Sequence, residues 1–377
     1  MTTPMTALMM DAYGGTGGIA QFNRHLLDAL ATDERLDVTA LGLTGDVHAL
    51  APSGLRWSIP ASGDKLRYSA TVAKVGVTRR PRIVLSGHTR LAPLAHPLAA
   101  LTRAAVWTTT HGIEVWRPDA SLATGELSRA RRPLDDALLG RSQLVTTVSR
   151  YTRSRLLAWC RIAPENVAVL PNAIDRTRYQ PGPRSAELEA KLGLAGTKVL
   201  LTVARLNPDD NYKGHDRVLP LLPELERRVG KVRYLIAGSG PDRARLERCA
   251  EQAGAAEQVV FLGHVPDEEL PAFYQLADVF VMPSTGEGFG IVYLEALACG
   301  CPVVAGNRDG SVDALADGEL GKLVDPFDSA ALLEALAATL REGRSHEEPI
   351  RGVERFDVAE FHKKVRGFIR RLLVARD

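Results

Sequence analysis

Two glutamates eight residues apart, Glu287 and Glu295, sit in the stretch Asp278-Val-Phe-Val-Met-Pro-Ser-Thr-Gly-Glu-Gly-Phe-Gly-Ile-Val-Tyr-Leu-Glu-Ala-Leu-Ala-Cys-Gly-Cys-Pro302. The pattern predicts a buried strand over 279–282, a tight loop, and a helix that stops near Gly300. Glu287 falls in the loop and Glu295 in the second helical turn. At 1.5 Å rise per residue the two carboxylates stand at most ~12 Å apart along the axis. Hydrolytic carboxyl pairs flank a single bond at about 5–9 Å, so this spacing suits one long ligand instead. Phe289, Gly290 and Ile291 open the helix with amides that lack intrahelical acceptors, a site for a diphosphate or for hydroxyl groups. The glycines let a ligand approach the backbone. In isolation, an ordinary strand-loop-helix unit with water-facing glutamates explains the stretch as well.

Other loops carry chemistry too. Gly14-Gly-Thr-Gly-Gly18 follows the first predicted strand and opens a helix. Numbered from Gly15 it fits G-x-G-x-x-A, but the second strand carries its acid, Asp37, at the wrong end for a dinucleotide ribose. Gly17 and Gly18 still suit a phosphate or a closely apposed sugar. His111, in Thr110-His-Gly-Ile-Glu-Val-Trp116, follows a strand end beside Gly112. A lone histidine is more often structural than catalytic, and its place at a strand's carboxyl end beside Gly112 brings the two readings about level. Asn172 lies in a Pro-Asn turn where the chain must cross between halves. Arg205 and Lys213 flank a loop at a strand end, and two cations at the mouth of a parallel sheet suit a diphosphate. Gly238 and Val265 belong to two further strand-end turns, Ala237-Gly-Ser-Gly-Pro241 and Phe261-Leu-Gly-His-Val-Pro266.

The elements that position these loops alternate short apolar runs with helical stretches, the mark of parallel sheets with crossover helices. Strands are predicted near 5–10, 36–43, 82–86, 105–109, 143–147 and 166–170, then near 198–203, 232–237, 258–262, 278–282, 302–305 and 322–324. Helices are predicted near 18–31, 64–78, 90–102, 121–138 and 149–159, with Ser149 as an N-cap. Arg176–Arg184, rich in Pro and Gly, reads as a linker. The last helix, about 357–375, is amphipathic and basic. The 377 residues suit two domains. We expect an α/β architecture of two doubly wound, Rossmann-like domains, 1–177 and 178–355, facing across a cleft, with a C-terminal helix over 356–377 returning to the first. Residues 1–175 hold 20 Lys and Arg against 14 Asp and Glu, and residues 176–377 hold 27 against 31. Four scattered cysteines form no CxxC pair and suit a reducing cytoplasm. The first residues lack a cationic start, so no signal peptide is expected. No apolar run approaches the ~18 residues of a membrane span.

With these motifs in place the chain resembles glycosyltransferase family 4, of the GT-B fold, over nearly its full length. The resemblance rests on the E-x7-E pattern Glu287-Gly-Phe-Gly-Ile-Val-Tyr-Leu-Glu295. Gly-Gly-Thr-Gly-Gly at 14–18, His-Gly-Ile-Glu at 111–114, Pro-Asn-Ala-Ile-Asp at 171–175, Ala-Arg-Leu at 204–206 and Tyr-Lys-Gly at 212–214 join it in the family's order. It implies a retaining transferase that moves a hexose from a nucleoside-diphosphate sugar to an acceptor hydroxyl. It further implies that Arg205 and Lys213 hold the diphosphate, Glu295 binds the ribose, and Glu287 contacts the transferred sugar. The amides of Phe289–Ile291 would bind sugar hydroxyls or phosphate, and Val265 would sit by the base. His111 would lie near the reacting face, with Gly17 and Gly18 closing on the sugar. No metal and no bound cofactor is expected, the nucleotide sugar being a co-substrate.

The acceptor is expected on residues 1–175, whose basic excess includes Arg79-Arg80-Pro-Arg82 and Arg129-Ala-Arg-Arg132. A saccharide or polyprenyl-diphosphate-linked saccharide would suit that charge, as would peripheral contact with an anionic membrane at its cytoplasmic face; plain solvation is the alternative. No nucleic-acid partner is expected. GDP-mannose and UDP-glucose are the first donor candidates, in exopolysaccharide or cell-envelope glycan synthesis. A GT-B phosphorylase or sugar-nucleotide epimerase is the alternative reaction, and a non-catalytic sugar or nucleotide binding module the alternative class.

Overall fold

The structure, a computed structural model, describes residues 2–46, 48, 51–60, 62–116, 126–344 and 346–374, the side chains of 126–132 excepted. The predicted start of the helix at 121–125 and the side chains of Arg129, Arg131 and Arg132 therefore lie outside the described residues. The chain divides into two compact units, Met1–Ala173 with Val358–Asp377, and Ile174–Asp357. The division falls a few residues before the predicted linker. Residues 176–184 belong to the second unit, where Tyr179 is buried and packs on Tyr274, and Gln275 donates to the Gln180 carbonyl.

The first unit has one parallel sheet. Its strands are β1 (Thr3–Met9), β2 (Leu36–Gly42), β3 (Leu55–Ser58), β4 (Ile83–Ser86), β5 (Ala105–Thr110), β6 (Leu144–Thr147) and β7 (Val167–Val169), in the order β3-β2-β1-β4-β5-β6-β7. Strands buried on both faces read as continuous apolar runs, and Ile83-Val-Leu-Ser86 is buried throughout. The edge strand β3, Leu-Arg-Trp-Ser, alternates half-buried and exposed positions and has no such run, so the sequence pattern does not reveal it. The helix Gly18–Ala31 follows β1, and the C-terminal helix Val358–Val374 lies against it. Phe361, Val365, Ile369 and Leu372 recur at helical spacing and are buried, with Phe361 set edge-on to Phe22.

The second unit has a six-stranded parallel sheet. Its strands are β8 (Lys198–Val203), β9 (Val232–Ala237), β10 (Val259–Gly263), β11 (Val279–Met282), β12 (Val303–Gly306) and β13 (Lys322–Val324), in the order β10-β9-β8-β11-β12-β13. In each sheet the strand order reverses once, between β1 and β4 and between β8 and β11. Ligands of open parallel sheets bind outside the carboxyl ends of strands at such reversals. Among the described residues no helix is long and apolar enough to cross a membrane.

Because Phe361 anchors the last helix to the first unit, Phe361→Ala should destabilise that unit by about 3–5 kcal/mol. A urea melt followed by near-UV circular dichroism checks it: an early transition is expected, and an unshifted one would show that the helix is only loosely attached.

Candidate functional site

At the reversal in the second unit, β8 leads to Arg205 and β11 leads to the Glu287 loop. Gly214 adopts φ +85°, and a Cβ there would lie 2.6 Å from the Pro283 carbonyl, so the Lys213 turn closes directly onto the end of β11. Lys213 meets Glu287 in a direct ion pair, and both side chains are largely buried. Charges removed from water need a partner, and each supplies the other's. Tyr212 lies beneath, with the Lys213 ammonium 5.2 Å from its ring centroid and Gly286 packed too closely on the ring to carry a side chain. Arg205 differs. Its side chain is 80% exposed, and its guanidinium lies 3.2 Å from the buried Asp210 carboxylate. The two expected diphosphate ligands thus share one sheet edge, one exposed and paired with Asp210 and one held against Glu287.

The helix Ile291–Ala298 begins at Gly290, whose φ is +84°. A Cβ at Gly290 would come within 2.4 Å of Tyr293, so the helix start is built for glycine. The Phe289 ring is buried against Phe356, so its side chain is committed to packing. Gly238, at the end of β9, adopts φ +148°, and a Cβ there would lie 1.8 Å from the Ala204 carbonyl, so this glycine lets the β9 turn pack against the residue before Arg205. Its amide donates to the Gly263 carbonyl at 2.7 Å, tying that turn to the one that carries Val265, which is 9% exposed.

Glu295 is buried more deeply than its spacing suggests, at 4% exposure. Its carboxylate accepts the Tyr274 phenol at 2.7 Å and a bond from Tyr179. Burial raises its pKa to about 7, and the two phenols draw it partly back. Two of a carboxylate's roughly four acceptor positions are taken. The family resemblance implies a ribose contact for Glu295; the structure leaves only the remaining edge of the carboxylate for one. Arg344 fixes this corner, donating to the carbonyls of Tyr274, Ala277 and Cys299. Tyr179, Tyr274, Arg344 and Asp309, which bonds the Glu287 amide, are absent from the sequence reading. They reach the motif from outside it, and no local spacing marks them.

The first unit gathers a second group. Gly17 caps the helix Gly18–Ala31, whose Phe22 stands edge-on to His111 with ring centroids 5.1 Å apart. His111 Nε2 lies 3.0 Å from the Gly87 carbonyl. A carbonyl only accepts, so this nitrogen carries a proton, and the ring's other nitrogen, Nδ1, is left for a further contact. The His111 amide donates to Glu114. Burial raises the Glu114 pKa, but His88 and His111 carry it below the usual carboxylate value. The His88 ring is 5.7 Å from that of His111. Asp11, after β1, has its pKa raised by burial, offset in part by Arg24 and His111. Asn172 stands apart from this group, following the edge strand β7 two strands from β5.

Two parallel-sheet units with charged loops at their reversals define a GT-B fold. Solved structures agree in fold. Sucrose-phosphate synthase from Thermosynechococcus elongatus matches with a TM-score of 0.78 over 99% of this chain and 100% of that one, at 20% identity. Anabaena Alr3699/HepE, in complex with UDP and glucose, matches at 0.74 over 97% and 99%, at 19% identity. The description "Glycosyltransferase Family 4" matches residues 16–178, and "Glycosyl transferases group 1" matches residues 185–355. The chain belongs to glycosyltransferase family 4. It is 39% identical over 263 residues to a GDP-mannose-dependent alpha-(1-6)-phosphatidylinositol monomannoside mannosyltransferase of Mycolicibacterium smegmatis, an alignment spanning 67% of this chain and 65% of that one. It is 38% identical over 185 residues to a D-inositol 3-phosphate glycosyltransferase of Nocardia farcinica, spanning 47% and 40%. The chain thus covers less than two thirds of the length of either relative.

The raised pKa of Glu295 makes stability depend on pH. Between the unfolded value of 4.5 and about 7 the folded chain binds the extra proton, so stability falls as pH rises through that window, by roughly 3 kcal/mol in all. Glu295→Gln should remove this slope. Melting temperatures of the two proteins from pH 5 to 7.5 should diverge in favour of the variant, and parallel curves would show an ordinary carboxylate.

Proposed function

We propose that this chain is a retaining glycosyltransferase that moves a hexose from a nucleoside-diphosphate sugar to a hydroxyl of a saccharide or lipid-linked acceptor in cell-envelope glycan synthesis. The observation that carries the reading is the Lys213–Glu287 pair beside the first turn of the helix Ile291–Ala298. Departure of a nucleoside diphosphate builds negative charge on phosphate oxygens, and preorganised cations and amides stabilise that charge most where water is excluded. Lys213 and Arg205 take the diphosphate, assisted by the amides of Phe289, Gly290 and Ile291. These groups, without an added metal, are assigned the neutralising role. When Lys213 turns to phosphate, Glu287 is freed to accept hydroxyls of the sugar. Glu295, oriented by Tyr274 and Tyr179, offers its open edge to the ribose. Gly238 and Val265 shape the base end.

Same-face attack, with the leaving phosphate taking the acceptor's proton, is the mechanism we infer from the family. His111, Gly17, Gly18 and Asn172 are assigned to the first unit's share of sugar and acceptor binding. The name of the Mycolicibacterium smegmatis relative favours GDP-mannose over UDP-glucose as donor. The first unit also suits peripheral contact with an anionic membrane or a polyprenyl-diphosphate acceptor. Its helices Lys65–Arg79 and Ala92–Thr102 pack through Gly76 and Leu98 and expose Val77 and Leu101 close to the exposed Arg79, Arg80 and Arg103.

Thermal stabilisation by GDP, UDP, GDP-mannose and UDP-glucose tests the donor, with the largest shift expected for GDP-mannose. Arg205→Ala should fold normally, Lys213→Ala and Glu287→Ala should fold with reduced stability because each leaves a buried charge unpaired, and Lys213→Ala should lower transfer by roughly 10²–10³-fold. Undiminished transfer in all three would overturn the proposal. Sedimentation with anionic vesicles that fails at every salt concentration would remove the membrane contact alone.

A further inference from the structure

Asp309 follows β12 and is wholly buried. A carboxylate so placed persists only where both oxygens are bonded. Oδ2 accepts from Ser284 Oγ at 2.6 Å and from the Glu287 amide at 2.8 Å. Oδ1 accepts from the Ser311 amide at 2.9 Å, and Ser311 Oγ lies 2.5 Å from it and 2.6 Å from the Gly306 carbonyl, sharing its one proton between the two. Each oxygen thus accepts from one backbone amide, a demand for two acceptors that a carboxyl group meets and a side-chain amide does not; burial raises the pKa of this group, and its hydrogen bonds draw it partly back. The neighbouring residue holds the same loop from its other side, the Gly310 amide donating to the Glu287 carbonyl at 2.9 Å. The contact is close: a Cβ on Gly310 would lie 2.0 Å from the Gly288 carbonyl. Tyr293 Oη lies 3.1 Å from Ser284 Oγ and 3.0 Å from the Met282 carbonyl, to which it can donate its one proton. The end of β11, the Glu287 loop and the first turn of the helix Ile291–Ala298 are thus pinned from the segment after β12.

We infer that Asp309 is a positioning residue for transfer, which through the Glu287 backbone sets where the Glu287 carboxylate stands relative to Lys213 and so how the transferred sugar is seated. The inference rests on the proposed transferase reading. Asparagine matches Asp309 in shape but presents one oxygen and one NH2 group. Whichever way it turns, a backbone N–H loses its acceptor, either that of Glu287 or that of Ser311. A carboxylate displaced by a fraction of an ångström lowers the rate more than it lowers binding of distant ligand parts.

The test compares Asp309→Asn, Glu287→Gln and the double variant in the full chain, with GDP-mannose, UDP-glucose and the corresponding diphosphates as probes. The expected result is a kcat roughly 10- to 100-fold lower for Asp309→Asn with diphosphate affinity changed by less than about threefold. The double variant should be no slower than Glu287→Gln alone, because both changes act on one group. Additive losses, unchanged kcat, or an equal loss of diphosphate affinity would overturn it. If Asp309→Asn does not fold, Ser284→Ala removes the other donor to Oδ2 and reads the same coupling to Glu287 on a smaller scale, with additivity again decisive against. Stabilisation by the nucleotide sugar beyond that by its diphosphate reads the sugar seat without turnover. Wild-type protein lacking this excess for every donor would sink the transferase reading, whereas Asp309→Asn retaining it in full would sink the positioning role alone.

Discussion

A lysine and a glutamate withdrawn from water at the reversal of a parallel sheet set the terms for the rest of the second unit. Lys213 and Glu287 arrive from loops 74 residues apart in sequence, and neither charge is tolerated in that position without the other. Holding them together requires backbone that does not yield. Gly214 lets its turn touch Pro283, Gly286 lies flat on Tyr212, and Asp309 pins the Glu287 amide. The pair is also replaceable. An anion that attracts the ammonium more strongly than the carboxylate does would release Glu287 as an acceptor in the same step, coupling phosphate capture to recognition of what lies beyond it.

The two glutamates of the E-x7-E pattern occupy different electrostatic surroundings although one short helix start carries both. Glu287 faces a cation and belongs to the sheet's charged edge. Glu295, two helical turns on, faces phenols in a buried corner and holds its proton to about pH 7. A nucleoside-diphosphate sugar has a matching gradient, with charge at its middle and neutral hydroxyls toward its ends. The first unit shows a related division. Glu114 and His88 surround His111, whose ring is held by the Gly87 carbonyl and the Phe22 edge, so its remaining nitrogen is presented in one orientation.

Much of this is legible in the sequence because its signals are local. Runs such as Val279–Met282 specify buried strands, Ser149 caps its helix with a bond to the Thr152 amide, and glycines after strand ends mark the turns that carry Arg205, Lys213 and Glu287. The C-terminal helix is read from the spacing of Phe361, Val365, Ile369 and Leu372, a period the chain must keep to bury one face. The short edge strand Leu55–Ser58 escapes because half-exposed strands need no apolar run.

What the sequence conceals is the set of groups that reach the motif from other strands. Asp309 looks like one acid among many in a turn until the sheet brings β12 beside β11 and aims its carboxylate at the Glu287 amide. Tyr274 and Tyr179 look like ordinary core aromatics, yet their hydroxyls partly offset the burial that raises the Glu295 pKa. These side chains act on the motif across the sheet, where the spacing that predicts elements carries no information about partners. Their chemistry is fixed by burial: a polar group without water must bond to whatever the fold supplies. In this family member the visible carboxylates are therefore tuned by residues that the pattern does not contain, and differences in reactivity between chains sharing the pattern should arise there first.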